Sequence, residues 1–221
     1  EDGIRDLVRS RGLGDVYKRQ MKNPQGGSSK NQTIEDIKEN YELNNKGLHM
    51  LLFHAQRMGI LRGVQTSTMS VHHRDPRSYE NNGFYHSEES IGMDTPSVYG
   101  LTKSFGERIC DYFCRWFGMN ILALRITGPR NANDWSSQVK SSINENGDYF
   151  GVPAEDGPNL WVTHESDLAD AYLKSIDYVF KGQKRFDSIF IAGDPEQREH
   201  NLSKAKYLLD WEPRNHHRDL V

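Results

Sequence analysis

Apolar side chains in the first part of the chain follow a helical period. Between residues 33 and 58 they recur three or four positions apart, which places them on one face of a helix: Leu48, Leu51, Leu52 and Ala55. Thr33 followed by Asp36 forms a variant of the capping box that starts a helix. Gly59 stands where a left-handed glycine ends one. The pattern therefore predicts a single long amphipathic helix over residues 33–58.

The rest of the pattern alternates between strands and helices. Residues 62–67 (RGVQTS) predict a short strand, residues 97–117 predict a second long helix that ends at Gly118, and residues 120–125 (NILALR) predict a buried strand. A long polar loop over residues 72–97 separates the first two of these elements. Four shorter elements follow: a strand at 161–165, a helix from Ser166 to Phe180, a strand at 188–193 and a helix at 203–211. Strand, helix and strand in this order are typical of a parallel sheet covered by helices, so the predicted fold class is α/β.

Composition narrows the class of protein further. The 221 residues carry 28 basic and 31 acidic side chains, a net charge of −3, which does not predict binding to nucleic acid or to an anionic membrane. No apolar run reaches the roughly 18 residues that a transmembrane helix needs. The two cysteines, Cys110 and Cys114, stand four residues apart with no second metal-binding pair. We therefore expect them to pack in the core of a cytoplasmic protein.

Residues 1–20 (EDGIRDLVRSRGLGDVYKRQ) show no helical or strand period that leads into the following chain. The string resembles a translated sequencing adapter or assembly artefact, and a native basic arm is the alternative interpretation. We expect these residues to be non-native and disordered. On that interpretation Met21 need not be the native start, and the chain is expected to be part of a longer protein.

Tyr99 and Lys103 are the first residues that indicate a specific chemistry. They stand four residues apart on the second predicted helix, so both side chains lie on one face, about 6 Å apart at the backbone. A lysine ammonium beside a phenol favours the phenolate, which allows a tyrosine to act as general acid and base near neutral pH. The alternative is that the two side chains only decorate a helix surface.

Thr68 strengthens the catalytic interpretation because it directly follows the predicted strand at 62–67. A hydroxyl at the carboxyl end of a parallel strand lies at the edge where open α/β sheets bind ligands, and there it can hydrogen-bond a substrate oxygen. A Ser/Thr turn that closes the strand is the simpler alternative. Neighbouring residues are expected to be structural: a helix-surface ion pair at Glu107, a solvated loop pair at His72 and His73, and a structural hydrogen bond at His164.

With these residues in place, the chain resembles the extended short-chain dehydrogenase/reductases, the NAD-dependent epimerase/dehydratase family, over about residues 33–214. Besides the Y-x-x-x-K helix, four segments carry the resemblance: NNKGLHMLLFHAQRMGILRGVQTSTMSV, LRITGPR, WVTHESDLADAY (with a structural Asp167) and SKAKYLLDWEP. The resemblance implies that Thr68 is the catalytic hydroxyl, Tyr99 the acid/base and Lys103 the residue that holds the nicotinamide ribose. It also implies that Asn44 and Ile126, together with Tyr99 and Lys103, contact an NAD or NADP cofactor, with no metal.

The implied fold is a Rossmann-like parallel sheet with helices on both faces. Residues 21–130 would form part of an NAD(P)-binding domain with the catalytic residues, and residues 131–221 a small C-terminal substrate-binding lobe interleaved with the sheet. The glycine-rich dinucleotide fingerprint of the family is absent from the sequence, and of the residues before Asn44 we expect only the 23 from 21 to 43 to be native. The family has a βαβαβ unit of about 60 residues there. We therefore expect the chain to lack the N-terminal βαβαβ part with its phosphate cradle, and to be inactive by itself.

The implied function is hydride transfer on a sugar or sugar-derived substrate, by an oxidoreductase or an epimerase. Dehydratases of the family carry Asp-Glu after the catalytic threonine, where this chain has Met69 and Ser70, which argues against dehydration. The LRITGP segment with Trp135 downstream resembles uronate dehydrogenases and favours a compact carbohydrate substrate. The resemblance also implies a homodimer formed through the two long helices. The alternative function is that of a catalytically silent Rossmann-like binding or regulatory protein.

Overall fold

The computed structural model describes residues 32–72, 88, 92–93, 95–135, 162–183, 185–197 and 200–215. The predictions for residues 1–20 and for most of the loop at 72–97 lie outside these residues. The first element is a long helix in three consecutive parts: α1 (Ile34–Tyr41), a π-helical segment (Glu42–Gly47) and α2 (Leu48–Arg57). The sequence pattern predicts the helix but not its π-helical segment.

The ends of this long helix confirm the predicted signals. The Thr33 hydroxyl accepts a hydrogen bond from the Asp36 N–H at 3.1 Å, and the Asp36 carboxylate accepts one from the Thr33 N–H at 2.9 Å. Gly59 adopts a φ of 76° just after the last turn. Leu51 differs from its prediction, because its side chain is 52% exposed although it lies on the apolar stripe.

Among the described residues, five strands form two parallel sheets. The larger sheet has the order β1-β2-β5, and the smaller one pairs β3 with β4. The strands are β1 (Arg62–Thr68), β2 (Asn120–Ile126), β3 (Gly128–Arg130), β4 (Val162–His164) and β5 (Phe186–Ile191). The remaining helices are α3 (Val98–Phe117), α4 (Glu165–Phe180) and α5 (Ser203–Leu209). The predicted α/β class and parallel sheet are confirmed.

Helices cover both faces of β2, and every residue of this strand is buried. Ile121 packs on one side in a cluster with residues of α2, α3 and the following turn: Leu52, Cys110, Phe113, Cys114 and Met119. Leu122 and Leu124 face the other side, where their cluster includes Leu168 of α4 and Leu209 of α5. The two cysteines are therefore core residues, as predicted, and neither forms a disulfide.

Helix α3 begins and ends where its sequence signals predict. The Ser97 hydroxyl accepts a hydrogen bond from the Gly100 N–H at 3.0 Å, and Gly118 ends the helix with a φ of 67°. Helix α4 differs from its prediction, because its cap is His164 rather than Ser166. The His164 ring accepts a hydrogen bond from the Ser166 N–H at 3.1 Å, so His164 has the structural role expected of it. None of the described helices is both long and apolar enough to cross a membrane.

Candidate active site

Tyr99 and Lys103 lie on the first turns of α3, on the face that packs against the sheet. The Lys103 Nζ lies 5.8 Å from the centroid of the Tyr99 ring. Tyr99 is half-buried, whereas Lys103 is only 6% exposed. The four-residue spacing thus brings the two side chains together, and the helix places the cation on the inner side of the phenol ring.

Lys103 connects α3 to the first strand. Its ammonium donates a hydrogen bond to the Thr66 carbonyl in β1 at 2.8 Å. Burial lowers the pKa of Lys103 to about 8, and the nearby Glu107 carboxylate opposes part of this shift. A group with this pKa is largely protonated at neutral pH, so it presents a positive charge beside Tyr99, and it loses that charge in mildly alkaline solution.

Thr68 ends β1 at the carboxyl edge of the sheet and is 8% exposed. Its hydroxyl accepts a hydrogen bond from the Ser70 N–H at 3.1 Å and so caps the short 3₁₀ turn Met69–Val71. Ile126 is the register partner of Thr68 in β2 and is also buried. The structure therefore places Thr68 and Ile126 side by side at the edge where open parallel sheets bind ligands.

Gly100 brings α3 against the turn that follows Thr68. A Cβ built on Gly100 would lie 1.9 Å from the Ser70 carbonyl oxygen and 2.4 Å from the Thr95 hydroxyl. Only glycine can occupy such a position, because backbone cannot move away as a flexible side chain can. Tyr99, its neighbour, is thereby fixed beside the turn after Thr68. The sequence carries this signal in the Tyr-Gly pair, and the pattern analysis missed it.

Asn44 lies in the π-helical segment, and its side chain makes hydrogen bonds to other residues of the protein. Its amide Nδ2 donates hydrogen bonds to the Thr102 hydroxyl at 3.0 Å and to the Asn40 side-chain oxygen at 3.2 Å. The Thr102 hydroxyl in turn donates to the Tyr99 carbonyl at 3.0 Å. Asn44 is therefore linked to the turn of α3 that carries Tyr99 and Lys103, through Thr102. π-helical turns often occur at functional sites.

Glu107 contradicts its prediction as a surface residue. It is 1% exposed and pairs with Arg125 of β2, with 2.7 Å between the Arg125 Nη2 and the Glu107 Oε2. Its other carboxylate oxygen accepts a hydrogen bond from the Ser67 hydroxyl at 2.5 Å. The prediction is wrong because the face of α3 that carries Lys103 and Glu107 packs against β1 and β2 instead of facing water.

His72 also differs from its prediction as a solvated loop residue. It is half-buried, and its ring nitrogens contact the Arg125 guanidinium at 3.3 Å and the Gly92 carbonyl at 2.9 Å. His73 lies outside the described residues. Within the described ranges no group of three or more His, Cys, Asp or Glu side chains is arranged to hold a metal ion.

No protein-family model matches the sequence, and no curated protein matches it significantly. Solved structures do match. A mutated uronate dehydrogenase superposes with a TM-score of 0.59 at 16% identity, over 83% of this chain and 56% of the enzyme. A UDP-glucuronic acid 4-epimerase from Bacillus cereus in complex with NAD has a TM-score of 0.58 at 19% identity, over 85% of this chain and 68% of the epimerase.

A further match is a short-chain dehydrogenase/reductase superfamily protein from Agrobacterium tumefaciens with bound NAD. Its TM-score is 0.60 at 16% identity, and the match covers 88% of this chain and 75% of that protein. The chain has the α/β fold of these proteins. The Rossmann-like architecture that the sequence resemblance implied is therefore confirmed. The chain spans 56% of the length of the uronate dehydrogenase and 68% of that of the epimerase.

Within this fold, the five predicted site residues converge on one part of the molecule. Thr68 and Ile126 end neighbouring strands, Lys103 bonds to β1, Tyr99 lies beside Lys103, and Asn44 reaches the same turn of α3 through Thr102. What the sequence analysis missed is the set of contacts that holds them there. Gly100, Thr102 and the Glu107–Arg125 pair supply those contacts.

Proposed function

We propose that the chain carries the catalytic residues of an NAD(P)-dependent oxidoreductase or epimerase that acts on a sugar or a sugar-derived substrate. The observation that supports this most directly is the protonatable lysine held between the Thr66 carbonyl and the Tyr99 ring at the carboxyl edge of a parallel sheet. Solved structures of this fold include a uronate dehydrogenase and sugar-nucleotide epimerases. A compact uronate-type substrate is the finer proposal, since the LRITGP segment with Trp135 downstream resembles that of uronate dehydrogenases. Met69 and Ser70, in place of the Asp-Glu pair of dehydratases, argue against dehydration.

In this proposal Tyr99 takes the proton from a substrate hydroxyl, and Thr68 orients the same oxygen by a hydrogen bond. Lys103 favours the phenolate of Tyr99 by its positive charge, and Asn44 holds the turn that carries both residues. The nicotinamide supplies the hydride chemistry, and the protein supplies position and proton transfer.

The described residues fit the nicotinamide end of a dinucleotide. Lys103 presents a buried ammonium at the ligand-binding edge, and Ile126 provides a buried apolar surface beside Thr68. The phosphate end is different, because the sequence contains no glycine-rich dinucleotide fingerprint. We therefore propose that Tyr99, Lys103 and Ile126 contact a nicotinamide ribose, and that the 221 residues by themselves lack the usual pyrophosphate contacts.

A comparison of two cofactors tests this division of the site. Calorimetry with the 221-residue chain would compare NAD(H) with nicotinamide mononucleotide in both redox forms, since the mononucleotide lacks the adenosine and one phosphate. We expect weak binding of both, with dissociation constants within about threefold of each other and above the micromolar range. Binding of NAD(H) at least tenfold tighter than the mononucleotide would show a phosphate or adenosine site and contradict this part of the proposal.

Because the expected inactivity of the chain by itself follows from weak cofactor binding, catalysis is tested with millimolar cofactor, which compensates for the missing phosphate contacts, and with a panel of hexuronates, hexoses and UDP-sugars. A dehydrogenase reduces the nicotinamide in the presence of one sugar, whereas an epimerase changes the sugar without net reduction. The absence of both reactions, at cofactor concentrations that calorimetry shows to saturate the chain, would contradict the proposed enzyme. That outcome would favour the second candidate, a catalytically silent Rossmann-like binding protein, which the missing phosphate-binding fingerprint also supports.

We also propose that the chain forms a homodimer through the long helix at residues 34–57 and α3. Both elements carry apolar side chains that are exposed among the described residues: Ile34, Ile37, Tyr41, Leu43, Met50, Leu51, Phe53, Phe105, Tyr112 and Trp116. Tyr41 and Phe105 lie 6.4 Å apart between ring centroids, so the two helices present one continuous surface. Exposed apolar surfaces of this kind are typical of interfaces.

A further inference from the structure

A buried ion pair joins α3 to β2 below the candidate catalytic residues. The Arg125 Nη2 and Nε donate to the Glu107 carboxylate at 2.7 and 3.0 Å, and the two side chains are 4% and 1% exposed. The Ser67 hydroxyl donates to the same carboxylate at 2.5 Å, and Ser67 is the register partner of Arg125 in β1. The Glu107 carboxylate therefore joins α3, β1 and β2. Its partner in β1, Ser67, directly precedes Thr68.

The other side of the Arg125 guanidinium reaches the chain between β1 and α3. Its Nη1 donates to the Glu88 carbonyl at 3.2 Å and contacts the His72 Nε2 at 3.3 Å, while Nη2 contacts the Met93 sulfur at 3.7 Å. Because a guanidinium can only donate, the His72 Nε2 accepts, and the His72 Nδ1 carries the proton donated to the Gly92 carbonyl. Arg125 thus gathers residues from both ends of the segment 72–93.

Tyr99 lies between two points at which Arg125 holds the chain. Met93 precedes it by six residues, and Glu107 follows it by eight on the same helix. Residues 99, 103 and 107 share one helix face because they are four positions apart. A shift of the guanidinium would therefore move both the residues that lead into α3 and the middle of α3. Tyr99, which lies between them, would move as well.

We propose that Arg125 is a positioning residue that fixes Tyr99 relative to Thr68 and Lys103. It acts through Glu107 on one side and through His72, Glu88 and Met93 on the other, and it touches none of the reacting atoms. The catalytic meaning of this role rests on the proposed function, whereas the geometry can be tested without turnover. A guanidinium is required because its planar fork bonds several partners at fixed angles, which a lysine ammonium cannot reproduce.

The Arg125→Lys variant separates positioning from simple charge balance. Lysine still neutralises Glu107, so a role in charge balance alone predicts that the variant behaves like the unaltered chain. Fluorine NMR of the chain labelled with 3-fluorotyrosine reports on Tyr99, whose signal is assigned by its absence in Tyr99→Phe. If Arg125 is a positioning residue, we expect the Tyr99 signal of Arg125→Lys to move or broaden, and its titration equilibrium constant to change by about threefold or more.

The control is Arg115→Lys, which alters an exposed pair with Asp111 on the same helix and should leave the Tyr99 signal unchanged. A folded Arg125→Lys chain with an unchanged Tyr99 signal and titration would overturn the proposal. If that variant does not fold, Glu107→Gln keeps the side-chain size but removes the charge that holds the guanidinium, and an unchanged Tyr99 signal in this variant would likewise overturn the proposal.

If neither variant folds, hydrogen exchange of the backbone amides of the unaltered chain tests the proposal. Positioning by Arg125 requires that residues 92–93 and the Tyr99 turn open together with β2. Independent opening of the Tyr99 turn would overturn the proposal. Failure of the chain to bind nicotinamide would contradict the proposed function and leave this geometric result unaffected.

Discussion

The two faces of α3 depart from the usual relation between polarity and burial. Beside the apolar cluster residues Cys110, Phe113 and Cys114, the inner face carries polar and charged side chains that are almost completely buried: Thr102, Lys103, Ser104 and Glu107. The outer face carries aromatic side chains in water among the described residues, with Phe105 42%, Tyr112 44% and Trp116 74% exposed. An ordinary surface helix buries apolar side chains and exposes polar ones. This departure supports the proposals of a site on the inner side and of a protein surface on the outer side.

The inner face is stable because its polar groups have partners. Lys103 bonds to the Thr66 carbonyl, Glu107 to Arg125 and Ser67, and Thr102 to Asn44. Partners reduce the free energy that burial of a polar group costs, although the lowered pKa of Lys103 shows that part of this cost remains for its charge. The comparison of the two faces therefore predicts that matched substitutions have large effects on the inner face and small ones on the outer face.

The largest difference is expected between two tyrosines of α3. Tyr99→Phe removes the hydroxyl proposed to exchange a proton with the substrate, and loss of a general acid/base lowers turnover by about 10²–10⁴-fold. Tyr112→Phe changes the exposed face and should leave turnover unchanged. The measurement is the reaction rate with the sugar that the substrate panel identifies, at saturating cofactor. A Tyr99→Phe rate within about threefold of the unaltered chain would remove Tyr99 from the mechanism.

The next largest effect concerns ion pairs on the same helix. Glu107→Leu leaves the buried Arg125 charge without its partner, which should lower the free energy of unfolding by about 3–5 kcal/mol. Asp111→Leu breaks the pair with Arg115, whose side chain is 70% exposed, and should cost at most about 1 kcal/mol. Urea denaturation of both variants measures the difference. Equal losses would show that burial does not distinguish the two pairs.

The titration of Lys103 makes the free energy of unfolding depend on pH. Its pKa is about 8 in the folded chain and about 10.5 when unfolded, so the unfolded chain binds more protons between these values. The free energy of unfolding should therefore rise by about 3 kcal/mol between pH 8 and pH 10.5 from this group. Below pH 8 Lys103 is charged in the folded chain as well, and its buried charge then destabilises the fold by the full amount of about 3 kcal/mol.

Replacement of this lysine should therefore stabilise the chain while it damages the site. Lys103→Met removes the buried charge but also the bond to the Thr66 carbonyl, which is worth about 1 kcal/mol, so we expect a gain of about 1–2 kcal/mol at pH 7 and no gain above pH 10.5. Lys46→Met, at an exposed pair with Glu42, is the control and should leave the pH dependence unchanged. Denaturation across this pH range checks both, and a destabilised Lys103→Met at pH 7 would contradict the assignment.

Local signals in the sequence predicted most of the fold because they depend on few residues. The Thr33 capping box and the glycines at 59 and 118 each act within one helical turn. The four-residue spacing likewise placed Tyr99 beside Lys103. These features need no knowledge of distant parts of the chain.

Most of the site contacts that the sequence did not predict are long-range. The sequence predicts a surface position for Glu107, because helical periodicity cannot reveal that Arg125, eighteen residues later, lies opposite it. The π-helical segment contains Asn44, which bonds to Thr102, 58 residues away in the sequence. Gly100 is constrained by the Ser70 backbone in the same way. Side-chain partners across elements become visible only when the elements are packed.

The smallest expected effect tests the outer face. If α3 pairs with a second copy of the chain, Trp116→Glu places a charge in an apolar interface and should weaken dimerisation by about tenfold or more, which analytical ultracentrifugation measures. Tyr207→Glu is the matched control, because Tyr207 is an 87% exposed aromatic residue on α5, away from this surface. It should leave the dimer unchanged. An unaltered chain that stays monomeric at high micromolar concentration would show that the aromatic face of α3 does not bind a second copy, and that its apolar side chains serve a different contact.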